Sequence, residues 1–215
     1  MLSERFTAAV DYARIAHGAQ QRKGSGVPYL SHLLGVSGLV LAFGGDEEQA
    51  IAGLLHDVIE DCGEAHAEPI RTQFGARVLT IVRGCTDGSA EAKATHTNAE
   101  ARRRDWLARK QTYLAHLADA ADDVLLVSGC DKLHNARAIV ADLVDPAVGT
   151  TVFRRFTGRR DGTLVYYRLL ADLFDQRCVA MAPVLEQTVQ RMYALAGEPG
   201  LASGSGTDAL AQAMI

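Results

Sequence analysis

Hydrophobic residues recur along this chain with the spacing of three to four residues that is typical of helices. Almost no segment alternates apolar and polar residues as a half-buried strand does. The pattern therefore predicts an all-α fold. It predicts helices over about residues 6–16, 33–43, 68–74, 76–85, 106–117 and 122–143, with one or two more over 164–196, where Pro183 would kink or divide the helix.

A further helix is predicted between two clear stop signals. Gly44-Gly45 ends the preceding helix, and Asp46 followed by Gln49 is typical of an N-cap with its reciprocal partner. The new helix should run on to Cys62-Gly63 and carry an apolar stretch that contains four polar side chains, at residues 56, 57, 60 and 61.

Those four side chains are the strongest functional signal in the chain. On an unbroken helix, His56 would stack over Glu60, and Asp57 over Asp61, which gives two adjacent polar columns beside aliphatic residues. Burying carboxylates there costs roughly several kcal/mol per charge unless a cation or hydrogen-bond donors compensate. The segment therefore indicates a divalent metal.

Length and composition bound the domain organisation. With 215 residues, of which 48% are hydrophobic, the chain suits one well-buried domain. We expect a single helical domain over 1–196, with a metal site between its central helices, and a flexible tail over 197–215. The segment from Thr86 to Arg104 has few large apolar residues, which predicts a mobile loop or a weakly packed helix.

Charge and cysteine content exclude several classes of protein. A net charge of −4 argues against a nucleic-acid or anionic-membrane surface, so an anionic ligand would need a local basic patch. The four cysteines form no C-x-x-C pair, so neither a thiolate zinc site nor a redox motif is indicated. The chain shows no signal-peptide core and no apolar run near 18 residues, and we expect a cytoplasmic protein without membrane contact.

The residues themselves suggest a reaction class. Imidazole and carboxylate groups in apolar surroundings suit one hard or borderline divalent ion. The candidate ligands are His32, His56, Asp57 and Asp131. Glu60 or Asp61 could orient or deprotonate a water, which predicts metal-assisted hydrolysis. Arg22 and Lys23 precede a glycine-rich turn before the first histidine and could hold phosphates, so a phosphate ester is the favoured substrate.

The order of these motifs resembles the HD-type phosphohydrolases, and their surroundings resemble the hydrolase domain of RelA/SpoT-type alarmone enzymes. The resemblance covers about residues 5–175. It is carried by residues 16–23, 28–32, 52–61, 74–78 and 131–137. Because the chain has no room for a synthetase domain, it is most similar to the stand-alone small alarmone hydrolases.

That resemblance implies a manganese-dependent removal of the 3′-pyrophosphate from ppGpp or pppGpp, which gives GDP or GTP and pyrophosphate. It implies one bound Mn²⁺ and a small-molecule nucleotide as partner. The implied roles are metal binding by His32, His56, Asp57 and Asp131, water activation by Glu60 and Asp61, and substrate binding by Arg22, Lys23, Arg109, Lys110, Asn135 and Tyr166.

The chain departs from the family pattern at three places. Leu33 follows the first histidine in place of the usual proline, and Cys62 stands where a threonine usually follows the acidic pair. After Thr86 the chain reads Asp87-Gly88-Ser89 instead of the usual Lys-Leu. The last departure falls where the family pattern implies contacts with the 5′-phosphates. It therefore bears on which nucleotide the protein binds more than on the chemistry of the metal.

Two other functions remain open, and so do simpler interpretations of single residues. The chain could be an HD hydrolase of another nucleotide, such as a nicotinamide or deoxynucleotide compound, or a sensor domain that binds a nucleotide without hydrolysing it.

Asp131 could be a helix-end charge paired with Lys132 or Arg137, and His134 could be purely structural. His17 is expected to be a charge at a helix C-terminus. His66, His96 and His116 are expected on the surface. The sequence does not indicate an oligomeric state.

Overall fold

The computed structural model describes residues 2–86 and 98–198, and its regular structure there is helical apart from one isolated bridge between Gln21 and Pro28. This confirms the all-α prediction. The α-helices are α1 Glu4–His17, α2 Leu30–Ala42, α3 Glu47–Leu55, α4 Val58–Cys62, α5 Ala67–Phe74, α6 Ala76–Cys85, α7 Ala99–Asp119, α8 Asp122–Val144, α9 Arg159–Gln176 and α10 Ala182–Leu195. Short 3-10 helices cover Glu64–His66 and Gly149–Arg155.

The start of α3 follows the sequence signal closely. The Asp46 side chain accepts a hydrogen bond from the Gln49 backbone N–H, and the Gln49 side chain accepts one from the Asp46 backbone N–H. This reciprocal pair satisfies backbone donors that a helix start leaves open. Gly75 joins α5 to α6 with a φ of 96°, a conformation that favours glycine.

One predicted helix is wrong in its continuity. The segment expected to run unbroken to Cys62 divides at His56 and Asp57, so α3 ends at Leu55 and α4 begins at Val58. Asp57 has φ −96° and ψ −3°, close to helical values, and its carbonyl still accepts from the Asp61 N–H at 2.8 Å. The backbone at the break therefore stays close to helical, and neither glycine nor proline stands at residues 56–58 to mark it.

Contacts within the described residues divide the chain into two compact units. The first contains residues 2–86 and 120–134, and the second contains 98–119 and 135–198. Helix α8 contributes residues to both. The boundary predicted between a domain over 1–196 and a tail stays a prediction.

Helix α3 lies at the centre of the first unit, because Ala50–Leu55 is buried throughout. It packs closely on α2 through small residues. A Cβ at Gly53 would lie 3.2 Å from the Ser37 Cα, and the Ser37 hydroxyl donates to the Ala50 carbonyl at 2.9 Å. This close approach brings the end of α3 near the start of α2, where the candidate metal ligands lie.

The second unit is built from α7, α9 and α10. Gly158 and Gly162 at the start of α9 lie against the Trp106 ring, and a Cβ on Gly158 would come within 2.5 Å of that ring. Arg168 on α9 is buried and donates to Glu186 of α10 at 2.9 Å and to Asp172 at 2.7 Å. A buried guanidinium with two carboxylate partners holds these helices in register.

Two expectations fall at least partly outside the described residues. The segment expected to be mobile or weakly packed includes residues 87–97, and the expected tail includes 199–215. The part of the first segment that is described, 99–104, belongs to α7. None of the described helices is both long and apolar enough to cross a membrane.

Candidate metal centre

Four predicted ligands from three parts of the first unit meet in one place. His32 lies in the first turn of α2, His56 and Asp57 form the junction between α3 and α4, and Asp131 lies in the middle of α8. Nε2 of His32 is 3.2 Å from Oδ1 of Asp131 and 3.7 Å from Oδ2 of Asp57. Nε2 of His56 is 3.0 Å from Oδ2 of Asp57 and 3.6 Å from Oδ1 of Asp131.

These distances fit neighbouring ligands of one small ion. Donor atoms that each lie about 2.0–2.2 Å from a common ion stand roughly 2.8–3.6 Å apart in octahedral or tetrahedral coordination, and the observed distances of 3.0–3.7 Å lie within or close to that range. The donor set of two imidazoles and two carboxylates suits a borderline or hard divalent metal. One ligand atom each from His32, His56 and Asp57 also lies within 4.8 Å of the other two, which is close enough for these residues to share an ion.

The two imidazoles are prepared for coordination. Nε2 of His32 and Nε2 of His56 are both buried without a hydrogen-bond partner, although a buried polar atom is normally paired. Nδ1 of His56 lies 2.9 Å from the Gly53 carbonyl, which can only accept. That contact places the proton of a neutral His56 on Nδ1 and leaves the lone pair of Nε2 directed at the carboxylates.

The electrostatics of the cluster favour a bound cation. Burial raises the pKa of Asp57, but the His56 imidazole outweighs it and the pKa stays below its usual value. Burial acts on Asp131 in the same way, and Lys132 and the two histidines outweigh it, so its pKa is also lowered. Burial lowers the pKa of His56, yet the two carboxylates raise it well above the ordinary value. Two ionised carboxylates thus share a buried space that demands positive charge.

Hydrogen-bond donors hold the two carboxylates from outside the cluster. The Tyr29 hydroxyl donates to Oδ2 of Asp57 at 2.6 Å, and Nζ of Lys132 donates to Oδ2 of Asp131 at 2.6 Å. Burial and the Asp57 carboxylate raise the pKa of Tyr29 far above its usual value, so its hydroxyl remains a donor. The sequence reasoning missed Tyr29 and considered Lys132 only as a partner of a helix-end charge.

The predicted acidic pair lies on α4, directly after the two ligands at the helix break. Glu60 is half-buried and Asp61 is exposed. Oδ2 of Asp61 accepts from the Gln20 amide at 2.9 Å, and the Gln20 carbonyl oxygen lies 2.8 Å from Nδ1 of His17. Since a carboxylate only accepts, the Gln20 amide must face Asp61, and Nδ1 of His17 must donate to Gln20.

His17 lies at the C-terminus of α1, as the sequence predicted, but it is buried and has a role in supporting the neighbouring loop. It is 5% exposed at the last position of α1, and its ring stacks on Tyr29 with centroids 5.0 Å apart. Together with Gln20 it supports the loop that leads to α2.

The sequence predicted His66, His96 and His116 on the surface. His66 is half-buried and forms a hydrogen bond with the Tyr12 hydroxyl at 2.7 Å, whereas His116 lies on the surface as expected. His96 lies outside the described residues.

The predicted basic pair lies on the loop between α1 and α2. Arg22 is half-buried and Lys23 is exposed, and the Arg22 N–H donates to the Val27 carbonyl at 2.9 Å across a turn that contains Gly24 at φ 74°. Burial, together with His32 and Arg22, lowers the pKa of His134 to about 4. His134 contacts His32, so the influence of Arg22 on the pKa of His134 indicates that the Arg22 charge lies near the metal cluster.

The remaining predicted substrate residues lie in the second unit. Asn135 follows Asp131 by four residues on α8, and Arg109 pairs with Asp105 along α7 at 2.9 Å.

Lys110 and Tyr166 contact each other in the second unit. Nζ of Lys110 lies 4.9 Å from the centre of the buried Tyr166 ring, a cation–π contact. The edge of Trp106 completes this group, with ring centroids 6.3 Å from Tyr166. The sequence placed Trp106 in a predicted helix and gave it no role in the site.

Comparison with known proteins agrees with this geometry. A family described as "HD domain" matches residues 9–163. A Drosophila melanogaster protein named guanosine-3′,5′-bis(diphosphate) 3′-pyrophosphohydrolase MESH1 is 31% identical over 71% of this chain and 78% of its own length. A solved structure titled as a metazoan ortholog of SpoT that hydrolyses ppGpp superposes with a TM-score of 0.68 at 26% identity, over 92% of this chain and 98% of that one.

Longer relatives match the same region. A Synechocystis sp. protein named as a probable guanosine-3′,5′-bis(diphosphate) 3′-pyrophosphohydrolase is 38% identical over 57% of this chain. The chain covers only 15% of that protein, and it spans a similarly small share of other long relatives. The chain belongs to the HD-domain family, in the group that includes the fly protein MESH1.

Proposed function

We propose that this protein is a manganese-dependent hydrolase that removes the 3′-pyrophosphate of ppGpp or pppGpp. The bond between the ribose 3′ oxygen and phosphorus breaks, and water supplies the hydroxyl of the pyrophosphate and the proton of the ribose oxygen. The observation that carries the proposal is the pair of buried, unpartnered Nε2 atoms of His32 and His56, directed at two ionised carboxylates. The names of the fly and Synechocystis relatives support the choice of substrate.

In this proposal His32, His56, Asp57 and Asp131 hold one divalent ion. The ion, when bound, supplies Lewis-acid chemistry that polarises a phosphoryl oxygen and makes water a stronger nucleophile. The chain's contribution is to keep the four donors in place before the ion arrives. The Gly53 carbonyl, the Tyr29 hydroxyl and the Lys132 ammonium perform that task for three of them.

The acidic pair on α4 handles the proton. Glu60 is half-buried on α4, which begins directly after the two candidate ligands at the helix break, and it takes a proton from attacking water. Asp61, fixed by Gln20, orients the same water. The assignment of Glu60 as the base and Asp61 as the orienting group is the one that the resemblance implies.

Positive charge near the cluster binds the phosphates. Arg22 lies near His134 and the metal cluster, and Lys23 extends the basic turn into solvent. Lys110 and Tyr166 form a cation–aromatic pair in the second unit, which suits a nucleotide that carries both a flat base and phosphates. Asn135 and Arg109 complete the proposed substrate set.

The test is turnover of ppGpp by purified, metal-stripped protein with and without added Mn²⁺, with the products separated by chromatography. We expect Mn²⁺-dependent release of pyrophosphate and GDP. Asp57→Ala should lose both metal and activity. Glu60→Gln should keep the metal and lose about 10² to 10⁴ in rate, the range for a general base. Glu64→Gln is the matched control, because Glu64 is exposed and, among the described residues, forms an ion pair with Arg83 away from the metal cluster.

The same assay separates the other possible functions. Turnover of only a nicotinamide or deoxynucleotide compound, from a panel run beside ppGpp, would favour a different HD hydrolase. Tight nucleotide binding without any turnover would favour a sensor domain. Full activity in either Asp57→Ala or Glu60→Gln would contradict the site assignment itself.

A further inference from the structure

The two histidines of the metal cluster are held in different ways. Nδ1 of His56 lies against a backbone carbonyl, which can only accept a hydrogen bond. Nδ1 of His32 lies 2.9 Å from Nδ1 of His134, with the two ring centroids 4.8 Å apart. An imidazole nitrogen can donate or accept, so this second contact has two possible directions.

Only one direction leaves His32 ready to bind an ion. Coordination through Nε2 requires a lone pair there, so the proton of a neutral His32 must lie on Nδ1. Nδ1 of His134 must then accept it. In the opposite direction His32 would carry its proton on Nε2, where it faces Oδ1 of Asp131 at 3.2 Å in the position that the ion needs.

We propose that His134 is a positioning residue that fixes the tautomer and the ring orientation of His32 for metal binding, and that Gly35 provides the space for the His134 ring. This inference rests on the proposed function, because it needs the metal that the proposal places at the cluster. It assigns His134 and Gly35 a role in metal affinity rather than in the reaction itself.

Gly35 supplies the second, independent observation. It lies on α2 one turn after His32, and an added Cβ would lie 2.2 Å from Nε2 and 2.4 Å from Cδ2 of His134. Glycine inside a helix is less stable than alanine, so a residue without a side chain at this position needs a structural reason. The His134 ring occupies the volume that a side chain at Gly35 would fill. Helix α2 therefore carries both the candidate ligand His32 and the glycine that leaves space for the His134 ring.

The same helix also contains a matched control. Gly38 lies three residues further along α2, and a Cβ built there meets nothing within 4 Å. Gly35→Ala and Gly38→Ala make the same chemical change in the same helix. They differ in whether the new methyl group collides with His134.

The experiment measures the Kd for Mn²⁺ from the electron paramagnetic resonance signal of the free ion, and the melting temperature of each metal-free protein. We expect His134→Phe, which keeps a ring but offers no acceptor, to weaken binding about 10- to 100-fold, the range for residues that orient metal ligands. Gly35→Ala should weaken it in the same direction, and Gly38→Ala should not. His134→Asn should restore most of the affinity, because its side-chain oxygen can accept from Nδ1 of His32.

The outcomes separate this inference from the proposed function. If wild-type protein binds Mn²⁺ no better than His32→Ala, both fail. If wild-type protein binds and His134→Phe binds equally well, only the role of His134 fails. Weak binding by His134→Phe that His134→Asn does not restore would indicate packing alone, and it would also overturn the inference. The role of Gly35 fails if Gly35→Ala and Gly38→Ala have the same Kd.

Discussion

At the residue scale, each carboxylate of the candidate metal cluster accepts a hydrogen bond from a donor outside the cluster. Tyr29 donates to Asp57 and Lys132 donates to Asp131. These contacts restrict the rotation of the carboxylates before a metal binds. The geometry needed by the ion is therefore present at little additional entropic cost on binding.

Removal of the Tyr29 hydroxyl tests this directly. Tyr29→Phe keeps the ring that stacks on His17 and deletes only the hydrogen bond to Oδ2 of Asp57. We expect the Kd for Mn²⁺ to rise about tenfold with little change in the fold. Isothermal titration calorimetry measures the affinity and circular dichroism checks the helix content.

Tyr12→Phe is the control for that change. Tyr12 also donates or accepts through its hydroxyl, but its partner is His66, which is not part of the metal cluster. An equal loss of Mn²⁺ affinity in both variants would show that a general loss of stability, and not the contact with Asp57, explains the effect.

The sequence predicted which residues form the candidate centre, but not the contacts that support them. His32, His56, Asp57 and Asp131 could be chosen because polar groups within apolar helices need a cause. The contact of His17 with Gln20 could not, since nothing in its sequence context separates a buried histidine at a helix end from an exposed one. The burial of His17 depends instead on packing against residues outside α1, such as Tyr29, whose ring stacks on it.

At the element scale, the candidate site uses two adjacent residues at the junction between α3 and α4. Neighbouring residues on a continuous helix point about 100° apart and do not face each other. His56 and Asp57 lie in the break, and their side-chain atoms come within 3.0 Å of each other. The capping box of α3 could be predicted from the sequence, whereas this break could not, because neither a glycine nor a proline marks it.

The close contact between Gly158 at the start of α9 and Trp106 on α7 can be tested by a substitution. Gly158→Ala would place a methyl group 2.5–3.1 Å from ring atoms of Trp106, although the Gly158 φ of −66° suits alanine. We expect a loss of about 1–3 kcal/mol in the free energy of unfolding, the usual cost of overpacking. The chain has one tryptophan, so a shift in the intrinsic fluorescence of the folded protein reports on Trp106 alone.

Gly38→Ala is the comparison for that substitution as well. It adds the same methyl group to a helix where nothing lies within 4 Å, and should leave stability equal or slightly higher because alanine favours helices. A Gly158→Ala protein as stable as Gly38→Ala, with unchanged fluorescence, would show that the α9 contact with Trp106 adapts without cost.

At the scale of the whole molecule, the metal centre connects distant parts of the sequence. His32 and Asp131 lie about a hundred residues apart, and the two remaining donors come from the junction between α3 and α4. An unfolded chain cannot bring these atoms together, so an ion that binds the cluster binds only the folded state. Binding free energy then becomes stability.

This coupling predicts how the protein responds to metal removal. At a free Mn²⁺ concentration of about 100 times the Kd, the free energy of unfolding should rise by about 2.7 kcal/mol, and a chelator should reverse the change. Urea unfolding followed by circular dichroism, with and without the ion, measures it. His32→Ala should show no rise because it lacks a ligand, and an equal rise in that variant would mean that Mn²⁺ stabilises the protein elsewhere. The cluster links folding to metal only if the rise depends on His32.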